Sequence, residues 1–335
     1  MSETAIENKE VTWNVQGIPV YGTITAPADQ AAHPAVIFVA GSGPTDRDWC
    51  SPLIQGTNGS AKLLAEALAG QGFITLRYDK LGSGPHVMEN VPKLIGKISM
   101  QYYIEELTGA VETLLAEKNI DKDNLFVLAN SEGTIHAVNY QLQAKKNLFK
   151  GLVLTGTLVK SGGDLTRSQL SKLYESLPDR ELVMKHYDEA IARFLAKEPF
   201  TVDPSLPDIM KTVLLSLETP ANLPFGRELW AYSLVDHVAK VKEPLLVVIG
   251  KKDIQIDWET NGKALETAAA GNPGASFVYP ENANHVLKHE EAPKEGLTAQ
   301  NAIMNYNAQN AVLDEEAVND ILGWLKKFKK NTGYW

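Results

Sequence analysis

The chain of 335 residues holds a single cysteine, Cys50, which excludes an internal disulfide and any multi-cysteine metal site. No stretch reaches the roughly 18 continuous apolar residues that a membrane helix requires, so a membrane partner is not expected. The opening segment Met1 to Glu10 is acidic and lacks the apolar centre of a secretory signal, which points to a cytoplasmic location. Clustered positive charge is scarce as well. The net charge is −9, and the one basic run, Lys326-Lys327-Phe328-Lys329-Lys330, is expected to close the last helix, where cations meet the negative end of its dipole. Nucleic acid, bound through clusters of Lys and Arg, is therefore not an expected partner. At 44% hydrophobic and 22% charged residues the composition is that of an ordinary globular protein, and nothing in it calls for a cofactor or a metal. It carries no signature of an oligomeric state.

What is present is an alternation of strand and helix. Val11 to Val15 and Val20 to Thr25 alternate around Gln16-Gly17-Ile18-Pro19 as an antiparallel hairpin. Apolar runs at 36–40, 73–78, 125–129, 151–155 and 244–249 read as buried strands. Between them, Ser60 to Ala69, with Ser60 as its cap, and Ser99 to Lys118 read as helices. Such alternation predicts an α/β fold with a mostly parallel sheet flanked by helices on both faces.

The most informative stretch is Leu128-Ala129-Asn130-Ser131-Glu132-Gly133-Thr134, set between an apolar strand and a helix-like run. A serine on a sharp strand-to-helix turn needs small neighbours two residues before and after it, and Ala129 and Gly133 supply them. An acid and a histidine follow in the required order. The strand Pro244 to Ile249 ends in Gly250-Lys251-Lys252-Asp253, and the run Ala275 to Tyr279 leads into Asn282-Ala283-Asn284-His285. Asp257 is a rival acid in the same loop but reads as the N-cap of a helix from Trp258. His289 lies in the charged run Lys288-His289-Glu290-Glu291, expected to form a solvated face. Cys50 sits in an irregular loop with no following helix, unlike a thiol nucleophile.

Together these segments resemble bacterial serine hydrolases of the α/β-hydrolase family. The elbow is similar to that family's G-H-S-E-G, and Val36 to Pro44 to its strand and oxyanion loop, with Ala40 where histidine is usual. Leu76-Arg77-Tyr78-Asp79-Lys80-Leu81-Gly82-Ser83-Gly84 resembles R-Y-D-x-R-G-x-G, with Leu81 where arginine is common. The resemblance implies a core of residues 1–159 and 241–335, with a helical cap or lid inserted at 160–240. That segment lacks strand-like runs and is broken by Pro178, Pro199, Pro204, Pro207, Pro220 and Pro224. It also implies a catalytic triad of Ser131, Asp253 and His285, and no cofactor.

The chemistry assigns the remaining roles. A serine hydroxyl needs a base, His285, whose tautomer the Asp253 carboxylate fixes. The backbone N–H groups of Ser42 and Glu132 are the candidate oxyanion donors. The Glu132 side chain is read as local structure at the helix start. Phe225, Trp230 and Tyr232 in the cap are the candidate substrate-binding residues. Asp79 is expected to order the Gly82 to Gly84 loop, and Arg47 an ion-pair network rather than a substrate contact. The expected activity is hydrolysis of small or medium carboxylic esters through an acyl-enzyme. A peptidase, amidase or acyltransferase using the same triad is the alternative, followed by a non-catalytic binding protein of hydrolase fold.

Overall fold

In the computed structural model, residues 5–220 and 223–329 are described; Met1 to Thr4 of the acidic segment and Lys330 of the basic run lie outside them. The chain opens with a hairpin, β1 (Ile6–Val15) and β2 (Ile18–Pro27). Both turn residues, Gln16 and Gly17, have positive φ (48° and 85°), which gives the turn the twist of the strands it joins. The remaining strands are β3 (His33–Val39), β4 (Ile74–Tyr78), β5 (Ile120–Asn130), β6 (Gly151–Thr155), β7 (Leu245–Val248) and β8 (Ala275–Val278). They form one eight-stranded sheet in the order β1-β2-β4-β3-β5-β6-β7-β8. From β4 to β8 every pairing is parallel, while the β1–β2 and β2–β4 pairings are antiparallel.

The central strands read as continuous apolar runs because both sheet faces are covered by helices. The two-residue side-chain period divides β3 between two cores, Ile37 and Val39 on one face and Val36 and Phe38 on the other. One face is covered by α3 (Met100–Leu115), capped by the Ser99 hydroxyl, and by α4 (Gly133–Gln143). The other is covered by α1 (Ser60–Ala69) and α12 (Glu315–Lys326). Ser60 does not cap α1: Gly59 holds that position, and the buried Ser60 hydroxyl has no partner. Asp257 does cap α10 (Trp258–Ala268), accepting from the Thr260 N–H at 2.9 Å.

Between β6 and β7 every named element is a helix: α5 (Gly162–Leu173), α6 (Arg180–Ala196), α7 (Asp208–Leu217), α8 (Phe225–Ala231) and α9 (Leu234–Val238). Met184, Tyr187, Phe194, Met210 and Leu214 form a third core inside this segment, separate from the two beside the sheet. Among the described residues no helix is long and apolar enough to cross a membrane, and no group of His, Cys, Asp and Glu is placed to hold a metal ion.

Candidate active site

Ser131 occupies the turn between β5 and α4 with φ +54°, a left-handed conformation that a side-chain-bearing residue holds only under strain. Its N–H donates to the Thr155 carbonyl at 2.9 Å, and its own carbonyl accepts from the Thr134 N–H and hydroxyl, so the turn is pinned on both sides. A Cβ at Gly133 would lie 2.5 Å from the Val39 carbonyl oxygen and 2.7 Å from that of Ala40. Only glycine lets the helix pass β3 at that distance. The loop after β3 then crosses the serine, with a Cβ at Gly41 falling 3.1 Å from the Ser131 Cβ.

Asp253 leaves the end of β7 and His285 follows β8. The Asp253 Oδ2 atom accepts from His285 Nδ1 at 2.8 Å, and both side chains are buried. Its Oδ1 atom accepts from the N–H groups of Gln255 and Ile256 at 2.8 and 2.9 Å, so the carboxylate cannot rotate away without breaking both bonds and orphaning the buried Ile256 donor. A proton on Nδ1 leaves Nε2 as the ring's acceptor, the tautomer a base requires. The two loops touch so closely that a Cβ on Gly250 would collide with the Ala283 carbonyl. The tip of β6 lies between serine and histidine: Thr155 holds the Ser131 N–H, and Gly156, at φ +55°, packs against the His285 ring. Asn130 adds a strut that composition and spacing did not reveal, its Nδ2 donating to the Thr155 hydroxyl and to the His285 carbonyl at 3.1 and 3.0 Å.

The other candidates separate. Cys50 is buried, and burial pushes its thiol up to about 12, out of reach of a thiolate nucleophile. His289 turns to Asp314 at 3.1 Å, away from Asp253. Its neighbour Lys288 departs from the expected solvated face: it is fully buried, and its Nζ donates to the Ala311 carbonyl. Arg47 donates from its backbone N–H and its guanidinium to Asp79, and from the guanidinium also to Glu10 and Thr23. Arg77 pairs with Asp48 in the same loop. The carboxylate of Asp79 fills the space where a Cβ on Gly84 would stand, tying the loop after β4 to that network.

A cavity of about 460 Å³ adjoins the elbow, lined by Gly43, Tyr103, Glu132, Phe225, Leu229 and Trp230 among others. Phe225 and Trp230 thus line this cavity beside the elbow. Tyr232 does not line it; its ring stacks on His237 and its buried hydroxyl has no partner. The Glu132 side chain reaches both the cavity and His136, one turn along α4, at 3.3 Å. Burial raises the pKa of Glu132, but the His136 hydrogen bond and the nearby Lys80 outweigh it and hold the group below its ordinary value. His136 in turn is lowered by burial and stacks on Tyr103, 3.9 Å between ring centroids.

The family described as serine aminopeptidase, S33, matches residues 55–292, a span that contains Ser131, Asp253 and His285. The chain belongs to this family of α/β-hydrolases. This hydrolase is 33% identical to the esterase EstD of Thermotoga maritima over 131 residues, which cover 39% of the chain and only 28% of that esterase. It is 24% identical to the proline iminopeptidase of Elizabethkingia meningoseptica over 66% of the chain and 76% of that protein. Its fold matches that of a Pyrococcus furiosus esterase with a TM-score of 0.53 at 16% identity, covering 97% of this chain and 92% of the other.

Proposed function

We propose that this serine hydrolase cleaves carboxylic esters of small or medium size with Ser131 as nucleophile, His285 as base and Asp253 as the acid that orients it. The observation that carries the reading is the buried Asp253–His285 hydrogen bond beside a serine held at positive φ. His285 takes the hydroxyl proton as Ser131 attacks the ester carbonyl, and returns it to the departing alcohol. Water, activated by the same histidine, then releases the acyl group. The N–H groups of Ser42 and Glu132 receive the negative oxygen of each tetrahedral intermediate. Neither of them donates a hydrogen bond to a protein acceptor among the described residues.

The ester preference is supported by the aromatic lining of the 460 Å³ cavity and by the esterase among the relatives. The helical segment around Phe225 and Trp230 acts in this reading as a cap that encloses the acyl or alcohol group. One observation favours a second reading, peptide or amide cleavage: an ionised Glu132 lines the cavity, and a proline iminopeptidase is also a relative. A panel of p-nitrophenyl esters against aminoacyl p-nitroanilides separates the two. Faster turnover of the anilides would replace the first reading with the second. Ser131→Ala should abolish hydrolysis of either class, a loss of many powers of ten in kcat, with an unchanged melting temperature.

A further inference from the structure

Lys80 is buried behind the loop that crosses Ser131, and no step of the proposed chemistry uses it. Its side chain is 3% exposed. The Nζ atom donates to the carbonyl oxygen of Gly41 and, at 3.1 Å, to that of Gly43. Burial pulls its pKa below the ordinary lysine value, and the Glu132 carboxylate opposes that shift. A buried ammonium is costly even when paired, and an apolar side chain would fill the same space without that cost. The charge must therefore serve the groups it grips.

The Gly41 carbonyl and the Ser42 N–H belong to one planar trans peptide and point in opposite directions. Holding the Gly41 oxygen therefore fixes where the Ser42 N–H points. Left alone, that peptide has limited resistance to a flip, since Gly41 on its N-terminal side has no Cβ to oppose the change in ψ. A flipped peptide would present a carbonyl oxygen to the developing negative charge in place of a donor. We propose that Lys80 is a positioning residue that locks the 41–42 peptide with the Ser42 N–H turned away from the ammonium and toward the oxygen that becomes negative when Ser131 attacks. The proposal rests on the triad reading given above.

Lys80→Met and Lys80→Gln in the full chain test it, with kcat and KM for a p-nitrophenyl ester, melting temperature, and inhibition by a trifluoromethyl ketone that forms a tetrahedral oxyanion on the serine. Loss of one oxyanion donor should lower kcat about 100-fold and weaken the ketone by a similar factor, while KM changes less than about threefold. Glutamine keeps a donor but loses the charge and the reach, so its loss should be smaller, about tenfold. If the methionine variant does not fold, the glutamine variant decides. A folded variant with kcat near wild type would overturn the proposal, as would a loss confined to KM with ketone affinity intact. Failure of both to fold would assign Lys80 to stability alone and overturn it too. Ser131→Ala assayed alongside separates the two layers: if it is inactive while the Lys80 variants keep their kcat, only the role of Lys80 falls. If Ser131→Ala retains turnover, both readings fall.

Discussion

Gly156→Ala probes the histidine without replacing any proposed triad residue. Gly156 has φ +55°, and an added Cβ would stand 3.0 Å from both Nδ1 and Cε1 of His285 and 3.2 Å from its carbonyl oxygen. Ordinary contact begins near 3.4 Å, so the ring must retreat by 3.4 − 3.0, about 0.4 Å, or the tip of β6 must move by as much. It cannot retreat freely, because Nδ1 is bonded to Asp253 and the His285 carbonyl to Asn130. A displacement of 1 Å costs about 100-fold in rate, so roughly 0.4 Å should lower kcat about tenfold. Left-handed backbone costs alanine about 1 to 2 kcal/mol, which for a chain of this size lowers the melting temperature by about 1 to 3 °C. Steady-state ester hydrolysis and thermal melting of the purified variant read both effects. A melting temperature that falls as expected with kcat and KM unchanged would refute the reasoning, since a displaced base cannot leave the rate intact.

Asp253→Asn should lose about 10⁴-fold in kcat through the wrong histidine tautomer. Asp257→Asn and His289→Ala should keep near wild-type rates, and comparable losses at either would relocate the acid or the base. Trp230→Ala, at the cavity wall, should change the ratio of kcat/KM between short and long acyl esters about tenfold, whereas Tyr232→Ala should lower only the melting temperature; equal ratios in both variants would place the acyl pocket elsewhere. Burial pushes the Glu106 carboxyl up to about 8 from an ordinary 4.5. The folded state therefore binds a proton that the unfolded chain releases, and stability falls as pH rises from about 4.5 to about 8. Melting curves across that window should show this slope in the wild type and a flatter one in Glu106→Gln; identical slopes would mean that Glu106 is ionised throughout.

The sheet was legible because central strands covered on both faces must be apolar throughout, as in Val36 to Val39 and Leu245 to Val248. The elbow was legible because a close helix–strand crossing demands a particular small residue, Gly133, at a fixed offset from Ser131. What escaped were pairings between segments far apart in the chain. Lys80 reads in the sequence as one more charged loop residue, and only the folded loop brings the carbonyls of Gly41 and Gly43 to it. Asn130 carries no local signature of its bond to a residue 155 positions later. The run from Lys288 to Glu291 misled because charge density predicts solvent, while Lys288 is fully buried with an acceptor supplied by Ala311. Tyr232 and Trp230 are two residues apart and equally aromatic, yet only Trp230 reaches the cavity.

The distribution of the site over β5, β7 and β8 also has a meaning in time. Ser131 precedes His285 by 285 − 131, or 154 residues, with the whole helical segment between them. At a synthesis rate of about 5 to 20 residues per second, the serine is made roughly 8 to 30 s before the histidine. For most of that interval β6 has no β7 to pair with, and the ring proposed to deprotonate the serine does not exist until its end. In the proposed mechanism the nascent serine therefore has no base to activate it until His285 has been made. In that mechanism reactivity waits until β8, the last strand of the sheet, has been made and His285 has followed it.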